Sequence, residues 1–260
     1  MIDLQLLKIA FRDITRPKKV LAALLLCVAP ALLVWLVKSV RPPDGAFDPT
    51  AIYSLMSEKF VFGFVMVILS VIFCTSVVAQ EVENKTIVYL LTRPIPRYRI
   101  LTVKFIPPIL ATLATVWASL TLTAIAAYGL QGIMGTALAR DLAITPVGVL
   151  AYGALFLLLS TLMQRPLIFG LLYTFGWETW VPNMPGSFQK LSLMAYMRVL
   201  APHKAQAPDE VDITQAISPV VQDVISRHFA WMVMLGVIVG AFALALYAFS
   251  VREYVPRDAE

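Results

Sequence analysis

Glu178 is the one ionisable side chain that falls well inside an apolar run of this chain. A carboxylate in such a place is a functional candidate by default. It can serve a pathway, or it can anchor neighbouring chain through hydrogen bonds. It sits towards the outer end of its run, where the cost of a charge falls. It therefore reads first as an anchor, paired with a backbone amide or with Arg198. The sharper reading makes Glu178, with Trp177, a pathway or gate residue. The usual catalytic constellations are missing from the sequence. His203 and His228 are the two histidines, both in polar stretches, so a bis-histidine haem site within the apolar runs is not expected. There is no HExxH, no zinc-spaced Cys/His pattern and no GxSxG. No GxxxxGK[ST] is present either, so this chain has no P-loop for a nucleotide. Cys27 and Cys74 fall in apolar runs, where a thiol behaves as a small hydrophobe. The chain is expected to be no enzyme and to hold no metal and no cofactor of its own.

The densest charge is EVENKTIVYLLTRPIPRYRILTVK, residues 81 to 104, between two apolar runs. Glu81 and Lys85 stand four apart, in the order that supports a helix. Val82, Thr86, Tyr89 and Leu90 share one face of it. The helix cannot easily pass Pro94, because a residue before proline is pushed out of the helical region. The block therefore predicts a short helix over 81–92, a stiff turn at RPIPR, and a second helix from 97. A short helix on a rigid corner is a lever that a partner could push. The bland alternative is that Arg93, Arg97 and Arg99 only grip anionic lipid.

The elements around this block must be membrane spans. Of 260 residues, 59% are hydrophobic and 14% charged, with mean hydropathy +0.79. Soluble domains carry about 25% charged residues. A span needs about 20 apolar residues. Six stretches qualify or come close, at 20–37, 60–80, 105–130, 144–163, 166–182 and 229–251. They are expected to form one all-α membrane domain over 1–260. Six spans put both termini on one side. Lys8, Arg12, Arg16, Lys18 and Lys19, with the cations of the 81–104 block, outnumber those of the other side. The positive-inside rule then places the termini and the block in the cytoplasm. The net charge of +5 is accounted for in this way, without nucleic acid.

Smaller features complete the expectation. Residues 1–16 alternate as an amphipathic, interfacial helix, with Pro17 bending the chain into the first span. Apolar residues at 188, 191, 194 and 197 predict an outer interfacial helix before the last span. Pro30, Pro107 and Pro108 are expected to fix bends.

The 81–104 block resembles the first cytoplasmic loop of type-2 ABC exporter permeases. Those typically show an acidic pair, a threonine, Leu-Leu, Pro-Ile, then an arginine and a lysine entering the next span. Glu81, Glu83, Thr86, Leu90, Leu91, Pro94, Ile95, Arg97 and Lys104 occupy those places. Many members have a glycine just before the threonine, where this chain has Lys85. A second run, LLYTFGWETWVPNMPGSFQKLSLMAYM at 171–197, is similar to the fifth span and following loop of single-domain members. The resemblance implies a multi-pass permease of a prokaryotic plasma (inner) membrane. Its loop would be a coupling helix that docks on a separate ABC ATP-binding subunit. That subunit would carry ATP and Mg, and a second permease copy would complete the unit. Glu81, Glu83, Thr86, Arg93, Pro94 and Arg97 would make the ATPase contact. A different class uses the same ATPase coupling in a membrane scaffold, for an envelope or metalloenzyme-maturation process without solute transport.

Overall fold

The computed structural model describes residues 10–11, 13–40, 48–83, 96–129, 136–184, 186–203 and 225–252. Among them every regular element is helical. In chain order they are α1 (Pro17–Val40), α2 (Pro49–Val82), α3 (Arg97–Tyr128) and α4 (Thr136–Leu162). Then come α5 (Pro166–Leu172, continued as a π-helix over Tyr173–Glu178), α6 (Leu193–Leu200) and α7 (Arg227–Val251). Helices α1, α2, α3, α4 and α7 are long and apolar enough to cross a membrane. The chain is an all-α polytopic membrane protein.

Helix α5 is the departure from the expected spans. Seven α-helical and six π-helical residues replace the predicted run of 166–182. At about 1.5 Å per residue they cover about 20 Å, short of the ~30 Å hydrocarbon core. The helix ends at Glu178, whose carboxylate accepts from Ser192 and the Met194 amide at the start of α6. Two 3₁₀ turns, Val181–Asn183 and Gly186–Leu191, then bring the chain to that helix.

Helix α6 also differs from expectation. Ser192 caps it, its hydroxyl accepting from the Met194 amide. Residues 188 and 191 therefore belong to the preceding 3₁₀ turn, where both are exposed. Six of the eight residues of α6 are buried. The helix is set among the spans, against α2, α4 and α7, rather than along a surface. Most of the expected amphipathic helix over 1–16 lies outside the described residues. Within what is described, Ala10 and Ile14 are buried and Phe11 is exposed.

The bundle has two ends. Val82, Arg97, Leu162 and Val251 mark one, here the loop end, and Asp48, Tyr128, Asp141 and His203 mark the far end. Asp48 caps α2, its carboxylate accepting from the Thr50 amide at 2.9 Å. The Thr50 hydroxyl, and then its amide, hold that carboxyl below the usual aspartate range. Within α2 a π-helical stretch runs over Met56–Val65, and a break falls at Thr75. Ser160 of α4 bridges the break, donating to the Thr75 carbonyl at 2.8 Å and accepting from the Val78 amide at 3.2 Å. Polar groups freed from a helix ladder need such a partner where no water reaches them.

Close packing of small residues holds helices together where lipid supplies no hydrophobic drive. Helix α7 lies along α4, burying Ala230, Ala241 and Ala245. On α4, a Cβ at Gly153 would stand 2.4 Å from Cδ1 of Ile109 on α3. Gly153→Ala is therefore expected to lower stability by about 1 kcal/mol, since Cδ1 is the movable end of its side chain. Thermal unfolding in detergent measures it, and Ile109→Val, which removes that Cδ1, is expected to cost less in the Gly153→Ala background than alone.

Candidate functional site

The loop end is built from helix termini and cations. Helix α3 begins at Arg97 with Pro96 as its N-cap, as the proline spacing predicts. On the other side of the block, the helix Ser76–Glu83 ends α2. The predicted lever between them, with Lys85, Thr86, Arg93 and Pro94, lies outside the described residues, as does the Glu83 side chain.

Both borders of that segment are tied down. Lys104 of α3 donates to Glu81 of α2, and the pair is largely buried, with side-chain exposures of 7% and 15%. Glu81 thus pairs across two helices, while the expected Glu81–Lys85 pair involves a residue outside the described ones. Lys19 of α1 reaches the same region, donating to Ser76 at 2.8 Å and Gln80 at 3.3 Å. At the other border the Arg97 guanidinium donates to the carbonyls of Ser250 at 3.1 Å and Arg252 at 3.5 Å. The last four carbonyls of a helix lack intrahelical partners, and a cation there is favoured by the helix dipole. Arg252 repeats the device on α4, donating to the carbonyls of Thr161, at 2.8 Å, and Leu162.

Glu178 lies deep in the bundle. Tyr152 of α4 donates to its Oε1, as do Ser192 at 3.0 Å and the Met194 amide, while Tyr173 donates to Oε2 at 3.1 Å. Tyr152 stands ten residues before the loop end of α4. The backbone amide expected as a partner is that of Met194, and Arg198 is not among the donors. The Arg198 Nε lies 3.1 Å from Glu58 Oε1 on α2, and its Nη1 donates to Asn183 at 3.2 Å. Trp177 is partly exposed and donates from Nε1 to the Leu191 carbonyl at 3.2 Å. It borders an apolar groove of about 430 Å³ between α4 and α5, lined also by Leu155, Leu159, Leu162, Phe169 and Leu172.

At the far end the sequence concealed a second polar cluster. Asp141 of α4 is fully buried, and its Oδ2 accepts from the Tyr53 hydroxyl at 2.8 Å. Nε2 of His203 lies 3.0 Å from the same oxygen and 2.9 Å from the Ser57 hydroxyl. Ser57 donates to the Tyr53 carbonyl at 2.8 Å, so the single Nε2–H is shared between the Ser57 and Asp141 oxygens. Arg140 Nε stands 3.7 Å from Asp141 Oδ1. The cluster ties α2, α4 and the chain after α6 together. A sequence signal existed in Asp141, an acid beside the apolar run 144–163, but not in its partners.

No group of three or more metal-ligating side chains occurs among the described residues. The polar groups described above each hold helices to one another, an arrangement suited to bodies that must move together. Residues 6–177 match the family described as ABC-2 family transporter protein, and the chain belongs to that family. It is a membrane permease, the transport subunit of an ABC transporter. Permeases of this family work with an ABC ATP-binding subunit. No curated protein matches the chain.

Proposed function

We propose that the chain couples ATP hydrolysis on a separate ABC subunit to export across a prokaryotic inner membrane, through the segment between Glu83 and Arg97. The observation that carries this reading is the double anchorage of that segment. Glu81 fastens one border to α3, and Arg97 fastens the other to α7. A loop that merely connects two spans needs no such anchors, whereas a lever must be rigid at its roots. We assign Glu83, Thr86, Arg93 and Pro94 to the ATPase-docking surface, and Glu81 and Arg97 to its anchorage. The termini and this segment face the cytoplasm, where ATP is. A second permease copy completes the unit. Glu178 is a brace for α6 rather than a pathway residue, because its four donors come from the protein's own packing.

The test is charge reversal that spares the anchors. The tagged permease is purified from membranes together with the ATP-binding subunit, which is recognised by its P-loop and by azido-ATP labelling. Glu83→Lys with Arg93→Glu is expected to reduce recovery of that subunit at least tenfold. That corresponds to about 1.4 kcal/mol or more of lost interface energy. Undiminished recovery and ATPase activity would reject this docking surface.

A further inference from the structure

The two arginines at the loop end form more than a pair of helix caps. Arg97 opens α3, where a cation is disfavoured by the positive end of its own helix. Its guanidinium escapes to the carbonyls that end α7. Arg252, the C-cap of α7, reaches in turn to the carbonyls that end α4. Two residues before that end, Ser160 of α4 grips both sides of the break in α2. Helix α2 continues from the break to Glu81, which returns to α3 through Lys104. The contacts therefore close a ring: α3 to α7, α7 to α4, α4 to α2, and α2 to α3.

We infer that Arg97, Arg252 and Ser160 are positioning residues that lock the loop ends of α2, α3, α4 and α7 into one rigid ring. Any push on the segment between Glu83 and Arg97 then reaches α4 and α7 at once. Without the ring, the segment has direct hold on α2 and α3 alone. Arg252 is the keystone, since its one side chain carries the whole described polar link from α7 to α4 at this end. The break at Thr75 explains why Ser160 matters. Ser160 inserts into the hydrogen-bond ladder of α2 there, and a ladder opened at one turn would bend under the push unless its two sides were bridged. The ring stands on geometry alone, while its use in transmission rests on the ATPase coupling proposed above.

Two measurements test these halves separately. For the ring, spin labels at Met163 and Tyr247 report the distance between α4 and α7 in the purified permease without any ATPase. A narrow distribution is expected for the parent, and a clearly broadened one for Arg252→Gln. Arg252→Lys is expected to fall between, since one ammonium can still donate to a helix-end carbonyl. An unchanged distribution in Arg252→Gln overturns the ring. For transmission, the permease and its ATP-binding subunit are held in nanodiscs, with a fluorophore at Met184 reporting on the far side of the bundle. Arg252→Gln is expected to keep the ATP-binding subunit and its hydrolysis while losing at least about fivefold of the ATP-driven signal. The exposed Arg165→Gln control is expected to keep the full signal. A full signal in Arg252→Gln overturns the transmission role. A parent that recruits no ATP-binding subunit contradicts the proposed function, and transmission with it, while the label distances still decide the ring.

Discussion

Replacing Glu178 with alanine is expected to cost the permease more stability than any other single change at its buried polar sites. The substitution strands the hydroxyls of Tyr152, Tyr173 and Ser192, which now donate to one carboxylate, and leaves the Met194 amide with its cap bond to Ser192 alone. A buried donor without a partner costs about 1–3 kcal/mol, so even with partial relaxation the loss is about 4 kcal/mol or more. It also removes the link that holds the start of α6 against α4 and α5. The measurement is thermal unfolding of the purified protein, together with its yield in membranes. Glu178→Gln keeps an acceptor for three of the four donors on one oxygen, and the Tyr173 hydroxyl can turn to accept from the amide. Its expected loss is about 1–2 kcal/mol. A brace and a pathway residue part company here. The brace predicts a Gln variant that is less stable yet retains its coupled activity once folded. A pathway role predicts normal stability with activity lost.

The second large effect is expected at Asp141. Asp141→Leu removes the acceptor of the Tyr53 hydroxyl and of Nε2–H of His203, and leaves Arg140 without its nearest carboxylate. Removing one partner from a buried charged group costs about 3–5 kcal/mol. Asp141→Asn keeps an oxygen towards Tyr53 and is expected to lose less than half of that. His203→Leu alone leaves the Tyr53–Asp141 bond in place and is expected to be the mildest of the three. Unfolding midpoints check the assignment, with Asp141→Leu expected lowest, Asp141→Asn next and His203→Leu highest. Equal midpoints for all three would place the stabilising contact elsewhere.

Much of the architecture was legible because membrane spans announce themselves by length and apolarity. The start of α3 was legible too, since Pro94 and Pro96 leave Arg97 as the first residue able to continue a helix. The joints were not legible. Arg97 and Arg252 bind backbone carbonyls far away in sequence, 153 residues on for Ser250 and 90 residues back for Leu162, and a carbonyl carries no sequence signature. Asp141 and His203 meet across 62 residues, with nothing in their spacing to suggest it. Periodicity predicted a helix near 188–197 but set its start wrong, because Ser192 caps it and gives the first turns to a 3₁₀ segment. Glu178 was recognisable as important. Its partners were not, since donors from Tyr152, Tyr173 and Ser192 converge on it from three different stretches of chain.

The family places this chain in a transporter, and the central claim concerns how it is driven. A photo-crosslinking amino acid at position 86 tests that most directly, with the same group at Trp180 as the far-side control. The account predicts an adduct between position 86 and the ATP-binding subunit, strengthened when ATP closes that subunit, and none from position 180. Adducts from position 86 to lipid alone, with the ATP-binding subunit present and active, would contradict it.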